Sequence, residues 1–88
     1  MRYSLYREGD NMGDSGPMCD IIDGESWTVI SDERRPRVGC AVRVGSYNAR
    51  TYSYQDYWTT TPVTEILEET DTYMRFKTRN SVYIWKII

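Results

Sequence analysis

VGCAVRV, residues 38–44, carries the strictest alternation in the chain. Val38, Cys40, Val42 and Val44 fall on one side of an extended backbone, and Gly39, Ala41 and Arg43 on the other. Side chains of a strand point alternately to its two faces, so a period of two with one apolar side predicts a half-buried β-strand. The small residues Gly39 and Ala41 leave room for a neighbouring aromatic ring on the second face.

The sequence on either side continues in the same manner, as short β-rich runs separated by turn residues. Residues 2–7 place Tyr3 and Leu5 on one face, as a first strand would. EGDNMGDSGP, residues 8–17, reads as a polar loop. The run at 18–22 leads into Asp23 and Gly24, a pair common in tight hairpin turns, and WTVIS, residues 27–31, reads as the returning strand. DERRPR, residues 32–37, is a charged turn. Downstream, TTTPVTEILE, residues 59–68, is rich in β-branched residues, and Pro62, lacking an amide donor, belongs at a strand start or an edge. Alternation fails at Ile66 and Leu67, which predicts either a bulge or a short helical turn near residues 65–70.

The tail predicts a hairpin. YMRFKT, residues 73–78, sets Met74 and Phe76 on one face; Arg79, Asn80 and Ser81 supply turn chemistry. VYIWKII, residues 82–88, is apolar on both faces, as a central strand is. Together these readings predict an all-β fold, one β domain spanning 1–88, built as a small five- to seven-stranded SH3-like or OB-like barrel.

Composition narrows the function classes. An aromatic content of 14 %, from eight Tyr, three Trp and one Phe, supplies either a compact core or a contact surface. The formal net charge of -2 argues against a general binder of nucleic acid or of a membrane surface. Charge is segregated: residues 8–33 hold eight acids and no Lys or Arg, and residues 34–54 hold five arginines and no acid. Such blocks either pair across the fold or form two patches of opposite sign. Histidine is absent, which removes the commonest general base and zinc ligand. No catalytic residue, metal site or cofactor is expected. MRYSLYREGD lacks the apolar core of a signal peptide, and no apolar run approaches the ~20 residues of a membrane span. A cytoplasmic location follows as the expectation, with Cys19 and Cys40 either as core fillers or joined by a bridge.

SYNARTYSYQDYW, residues 46–58, is where a recognition surface is expected. Tyrosine and tryptophan offer large, rigid, amphipathic area, and an arginine adds a planar donor fork. The candidate partner-binding residues are Tyr47, Arg50, Tyr52, Tyr54, Tyr57 and Trp58. Tyr52 and Tyr54 share one parity, so the same stretch also reads as a core strand laid across Gly39 and Ala41. A second candidate surface is acidic: Asp10, Asp14, Asp20 and Asp23, spaced like no calcium loop, either belong to a solvated acidic loop or imitate phosphate spacing and occupy a basic groove on another protein.

WTTTPVTEIL (residues 58–67) followed by FKTRNSVY (residues 76–83) resembles a pattern found in small proteins of bacteriophages and prophages. The resemblance covers about a third of the chain. It implies expression in the cytoplasm of an infected bacterium and action as a stoichiometric inhibitor of a host defence system, anti-CRISPR proteins being one such group. A host protein is thus the first partner expected. Single-stranded nucleic acid, stacked on the same aromatics, is the alternative, and a self-associating structural subunit is the third reading.

Overall fold

The computed structural model describes residues 1–30, 32–46 and 57–88. In chain order the strands are β1 (Tyr3–Arg7), β2 (Gly13–Gly16), β3 (Met18–Asp23), β4 (Cys40–Gly45), β5 (Tyr57–Thr59), β6 (Val63–Glu69), β7 (Tyr73–Thr78) and β8 (Val82–Ile87). No helix occurs among the described residues. The fold is all-β, as the alternation predicts.

The strands make two antiparallel sheets. One has five strands in the order β2-β1-β8-β7-β6, and the other three in the order β3-β4-β5. β8, the strand apolar on both faces, is the centre of the larger sheet. Their inner faces close on one core of Tyr3, Leu5, Cys19, Ile21, Cys40, Val42, Val44, Val63, Met74, Phe76, Tyr83 and Trp85. Aromatic rings fill its middle: Phe76 stacks on Tyr83 at 5.6 Å between centroids, and Tyr3 lies 6.0 Å from Trp85. Such contacts let a small protein bury area without a deep aliphatic interior.

Two seams join the sheets. At the first, only Pro17 separates β2 from β3, and the Gly16 backbone presses against the Gly45 carbonyl at the end of β4. At the second, Val38 bridges Val63 in parallel, and the Gly39 amide donates to the Val63 carbonyl at 2.9 Å. The arrangement is barrel-like, but no continuous ladder closes it among the described residues.

The structure departs from the sequence expectations in four places. Residues 13–16 are a strand, not loop: GDSG has poor β-propensity but pairs along β1, from Tyr3 with Gly16 to Tyr6 with Gly13. With it the described residues hold eight strands, one more than the upper end of the five to seven expected. Residues 27–30 do not return as a full strand; one bridge joins Val29 to Ile22, because Trp27 adopts a left-handed φ of 57° that breaks the extended run. Position 31 lies outside the described residues. Val38 is exposed, since Gly39 at φ 90° turns the chain before β4 begins. β4 itself is more than half-buried, with Ala41 fully covered as well as its core-facing valines. Of the two readings offered for residues 65–70, the structure takes the bulge, and no helical turn forms there. The broken alternation is resolved by register shifts between Val63 and Glu65 and between Ile66 and Glu68, so Ile66 packs against the core and Leu67 stays exposed. Pro62 immediately precedes β6, an edge strand.

Candidate functional site

The β4–β5 pair positions the best-defined surface constellation. Register partners across it are Arg43 with Thr59, Val44 with Trp58 and Gly45 with Tyr57. Val44 belongs to the core, so Trp58 turns inward with it, and Arg43, Tyr57 and Thr59 share the opposite face. There the Arg43 guanidinium lies 5.5 Å from the Tyr57 ring centroid. Its Nη2 donates to Asp20 Oδ2 at 3.1 Å, and Asp20 is its register partner on β3. The ion pair is largely screened from water, with side chains 22 % and 16 % exposed. A planar fork stacked on a phenol and braced by a carboxylate loses little freedom on binding, which favours directional contact.

The predicted surface residues thus separate. Tyr57 belongs to the Arg43 face. Trp58 packs against the core instead: its Nε1 donates to the Tyr83 hydroxyl at 3.2 Å, and the Arg7 guanidinium stands 5.1 Å over its ring. Tyr47, Arg50, Tyr52 and Tyr54 lie outside the described residues. The pairing of Gly45 with Tyr57 sets the two ends of that segment side by side.

The acidic candidates are distributed over several elements. In the β1–β2 turn, Asp10 is gripped by the Arg7 guanidinium, with Nη2 2.6 Å from Oδ2, and also accepts the Met12 amide. The guanidinium, helped by that amide, holds its carboxyl below the usual carboxylate range. Asp14, on β2, accepts the Ser15 amide at 2.7 Å. Asp20 pairs with Arg43, and Asp23 accepts the Glu25 and Ser26 amides to lock the turn after β3. Among the described residues no three His, Cys, Asp or Glu gather where they would hold a metal ion. The charge blocks pair with each other in part: Asp20 meets Arg43 and Glu33 meets Arg37, but Glu8 pairs with Arg75 and Arg35 reaches Glu69.

Arg35 is a functional side chain of the fold that sequence reading assigned only to a charged turn. It donates to the carbonyls of Asp71 and Thr70 at 2.7 and 2.8 Å and to Glu69 Oε2 at 3.0 Å, and its guanidinium lies 5.4 Å from the Trp85 ring centroid. One arginine therefore fastens the β6–β7 turn over the central tryptophan. Its partners lie 34 to 36 residues away in sequence, so no local pattern announces the contact.

Both thiols are free and buried. Cys19 pairs in register with Val44 and Cys40 with Asp23, four positions apart, or ~13 Å along the strands, beyond disulfide reach. The Cys19 thiol donates to the Arg34 carbonyl at 3.1 Å, and burial pushes its pKa up to about 11. Folding therefore favours the protonated thiol. Its contribution to stability is complete below pH 9, where the unfolded thiol is protonated too, and is lost as pH rises through about 11. Denaturant titrations between pH 8 and 11 are expected to lose ~2 kcal/mol more in the wild type than in Cys19→Ala. Parallel pH curves would show that the thiol titrates equally in both states.

The outer face of the larger sheet is charge-compensated: Arg75 pairs with Glu8, and the Tyr73 hydroxyl donates to Glu68 at 2.9 Å. No helix among the described residues is long and apolar enough to cross a membrane. Comparison with protein-family models, with curated proteins and with solved structures finds no match to this chain.

Proposed function

We propose that this chain is a small non-catalytic binding protein, phage-derived, that acts as a stoichiometric inhibitor by occluding a host defence protein, such as a CRISPR effector, or its nucleic-acid groove. The observation that carries the reading is the Arg43–Tyr57 pair, braced by Asp20 and held on a rigid antiparallel sheet. Tyrosine and arginine presented on fixed elements are the side chains that most often dominate binding energy at protein interfaces. The phage origin rests on the resemblance in residues 58–67 and 76–83.

The test is capture from bacterial lysate on the immobilised protein, with nuclease-treated and untreated arms. A protein retained in both arms is the expected result. Retention only in the untreated arm would instead support direct binding of single-stranded nucleic acid. Once the partner is purified, Tyr57→Ala combined with Arg43→Ala is expected to weaken it by ~2–4 kcal/mol, a loss of roughly thirty- to a thousandfold. Tyr57→Ala alone keeps the Asp20 ion pair and guards against misfolding as the cause. Undiminished affinity in both folded variants would remove the pair from the interface.

A further inference from the structure

The turn after β3 presents a tryptophan for which the fold has no evident use. Trp27 is 53 % exposed, and Val29, two residues on, is 46 % exposed. Its backbone sits at φ 57°, a left-handed conformation that bulky side chains adopt at a cost and that glycine or asparagine adopts easily. The conformation is fixed from several sides. Asp23 Oδ1 accepts the Glu25 and Ser26 amides, the Trp27 amide donates to the Asp23 carbonyl at 2.8 Å, and the Asp23 amide donates to the Thr28 carbonyl at 2.8 Å. The Ser26 and Thr28 hydroxyls meet at 2.8 Å. A turn this well determined would form with asparagine at position 27, so folding alone does not account for a large apolar ring there.

Charge decides what would cover that ring. Asp23 and Glu25 flank it within the turn, and no Lys or Arg occurs anywhere in residues 8–33. The Gly24 amide donates to the Gly39 carbonyl, and Arg37, two residues before Gly39, is paired with Glu33. A second copy docked turn to turn would bring acid against acid. An anionic membrane surface is disfavoured for the same reason.

We propose that the turn at 24–28 is a second recognition element, inserting Trp27 into an apolar groove of a partner protein whose rim carries lysine or arginine. This rests on the reading of the chain as a binding protein and names the chemistry of the partner surface. Exposed tryptophan is the residue most enriched among binding hot spots, and the acidic collar adds steering toward a basic rim.

The experiment needs no identified partner. The probe is an amphipathic helical peptide of leucine and lysine, which offers an apolar face with cationic flanks; its leucine–glutamate counterpart is the control. Fluorescence titration of the full chain follows the exposed indole, with acrylamide quenching reporting its accessibility. The leucine–lysine peptide is expected to bind and shield the indole, the leucine–glutamate peptide to bind at least tenfold more weakly, and Trp27→Asn to lose binding at least tenfold while its thermal midpoint stays the same or rises. Binding by Trp27→Asn is followed by peptide anisotropy. Equal binding of the two peptides, equal binding by Trp27→Asn, or no binding of either peptide overturns the proposal. The lysate capture separates this outcome from the broader reading: if Trp27→Asn captures the host protein as well as wild type does, binding function stands and the Trp27 element falls. If wild type captures nothing, the broader reading falls and the peptide titration still decides the turn.

Discussion

Trp85→Ala is expected to abolish a measurable cooperative unfolding transition, or to lower its midpoint by ~15–30 °C. Trp85 is fully buried on the central strand, against Tyr3 on one side and under the Arg35 guanidinium on another. Replacing a buried tryptophan with alanine costs ~3–5 kcal/mol through lost transfer energy and the cavity left behind. A chain of 88 residues has a total stability of only ~4–13 kcal/mol to lose. Arg35 would also lose the ring on which it rests, loosening its hold on the β6–β7 turn. Trp85→Phe is the informative comparison. The indole Nε1 is buried without a hydrogen-bond partner among the described residues. It faces the Cys19 sulfur closely enough to offset part of that thiol's burial effect, short of forming a bond. Phenylalanine keeps most of the ring and deletes the unsatisfied N–H, so its cost is expected to stay near ~1–2 kcal/mol. Thermal and urea denaturation of both variants check this. Equal losses would mean that the N–H is satisfied in the folded protein.

Gly16→Ala is the second large effect, and it acts on the seam instead of the core. A Cβ at position 16 would fall within the Gly45 carbonyl group and crowd the Ser46 Oγ. Two backbones meet there, so no flexible side chain can move aside. Relief requires β2 to lift from the end of β4, opening the corner where the chain crosses between sheets at Pro17. The expected cost is ~3 kcal/mol or more, in the range reserved for strain and overpacking at special positions. Gly39→Ala is the control. Its φ of 90° strains any L residue, but the added methyl meets open space. Its cost should stay near the ~1–2 kcal/mol of the backbone conformation alone. Urea midpoints measure both, and a Gly16→Ala variant within ~1 kcal/mol of wild type would show that the sheets do not approach as closely as described.

How legible this was depends on the range of the interactions involved. Period-two alternation is a local property, and it located β1, β4 and β7 within a residue or two, as the continuous apolar run located β8. Where side chains carry no such signal, local reading fails. β2 is GDSG and is a strand only because β1 offers it a row of backbone partners. Trp27 reads as β-prone, but the turn locked by Asp23 holds it outside the strand. Within the candidate surface, Tyr57 and Trp58 are sequence neighbours of similar chemistry. Register with Gly45 and Val44 sends one to the Arg43 face and the other to the core.

From sequence alone came the all-β class, the apolar face of each well-patterned strand, the central place of residues 82–88, and two cysteines expected in the core. All of these follow from side-chain periodicity and composition, which act over a few residues. Tertiary structure alone decided which strands are neighbours beyond the β7–β8 hairpin, that glycines form the seam between sheets, that Arg35 caps Trp85, and that Asp20, Arg43 and Tyr57 converge. Those contacts join residues 14 to 50 positions apart in the chain. Their energy is gained only after the intervening chain has closed, so no short stretch of sequence can encode them by itself.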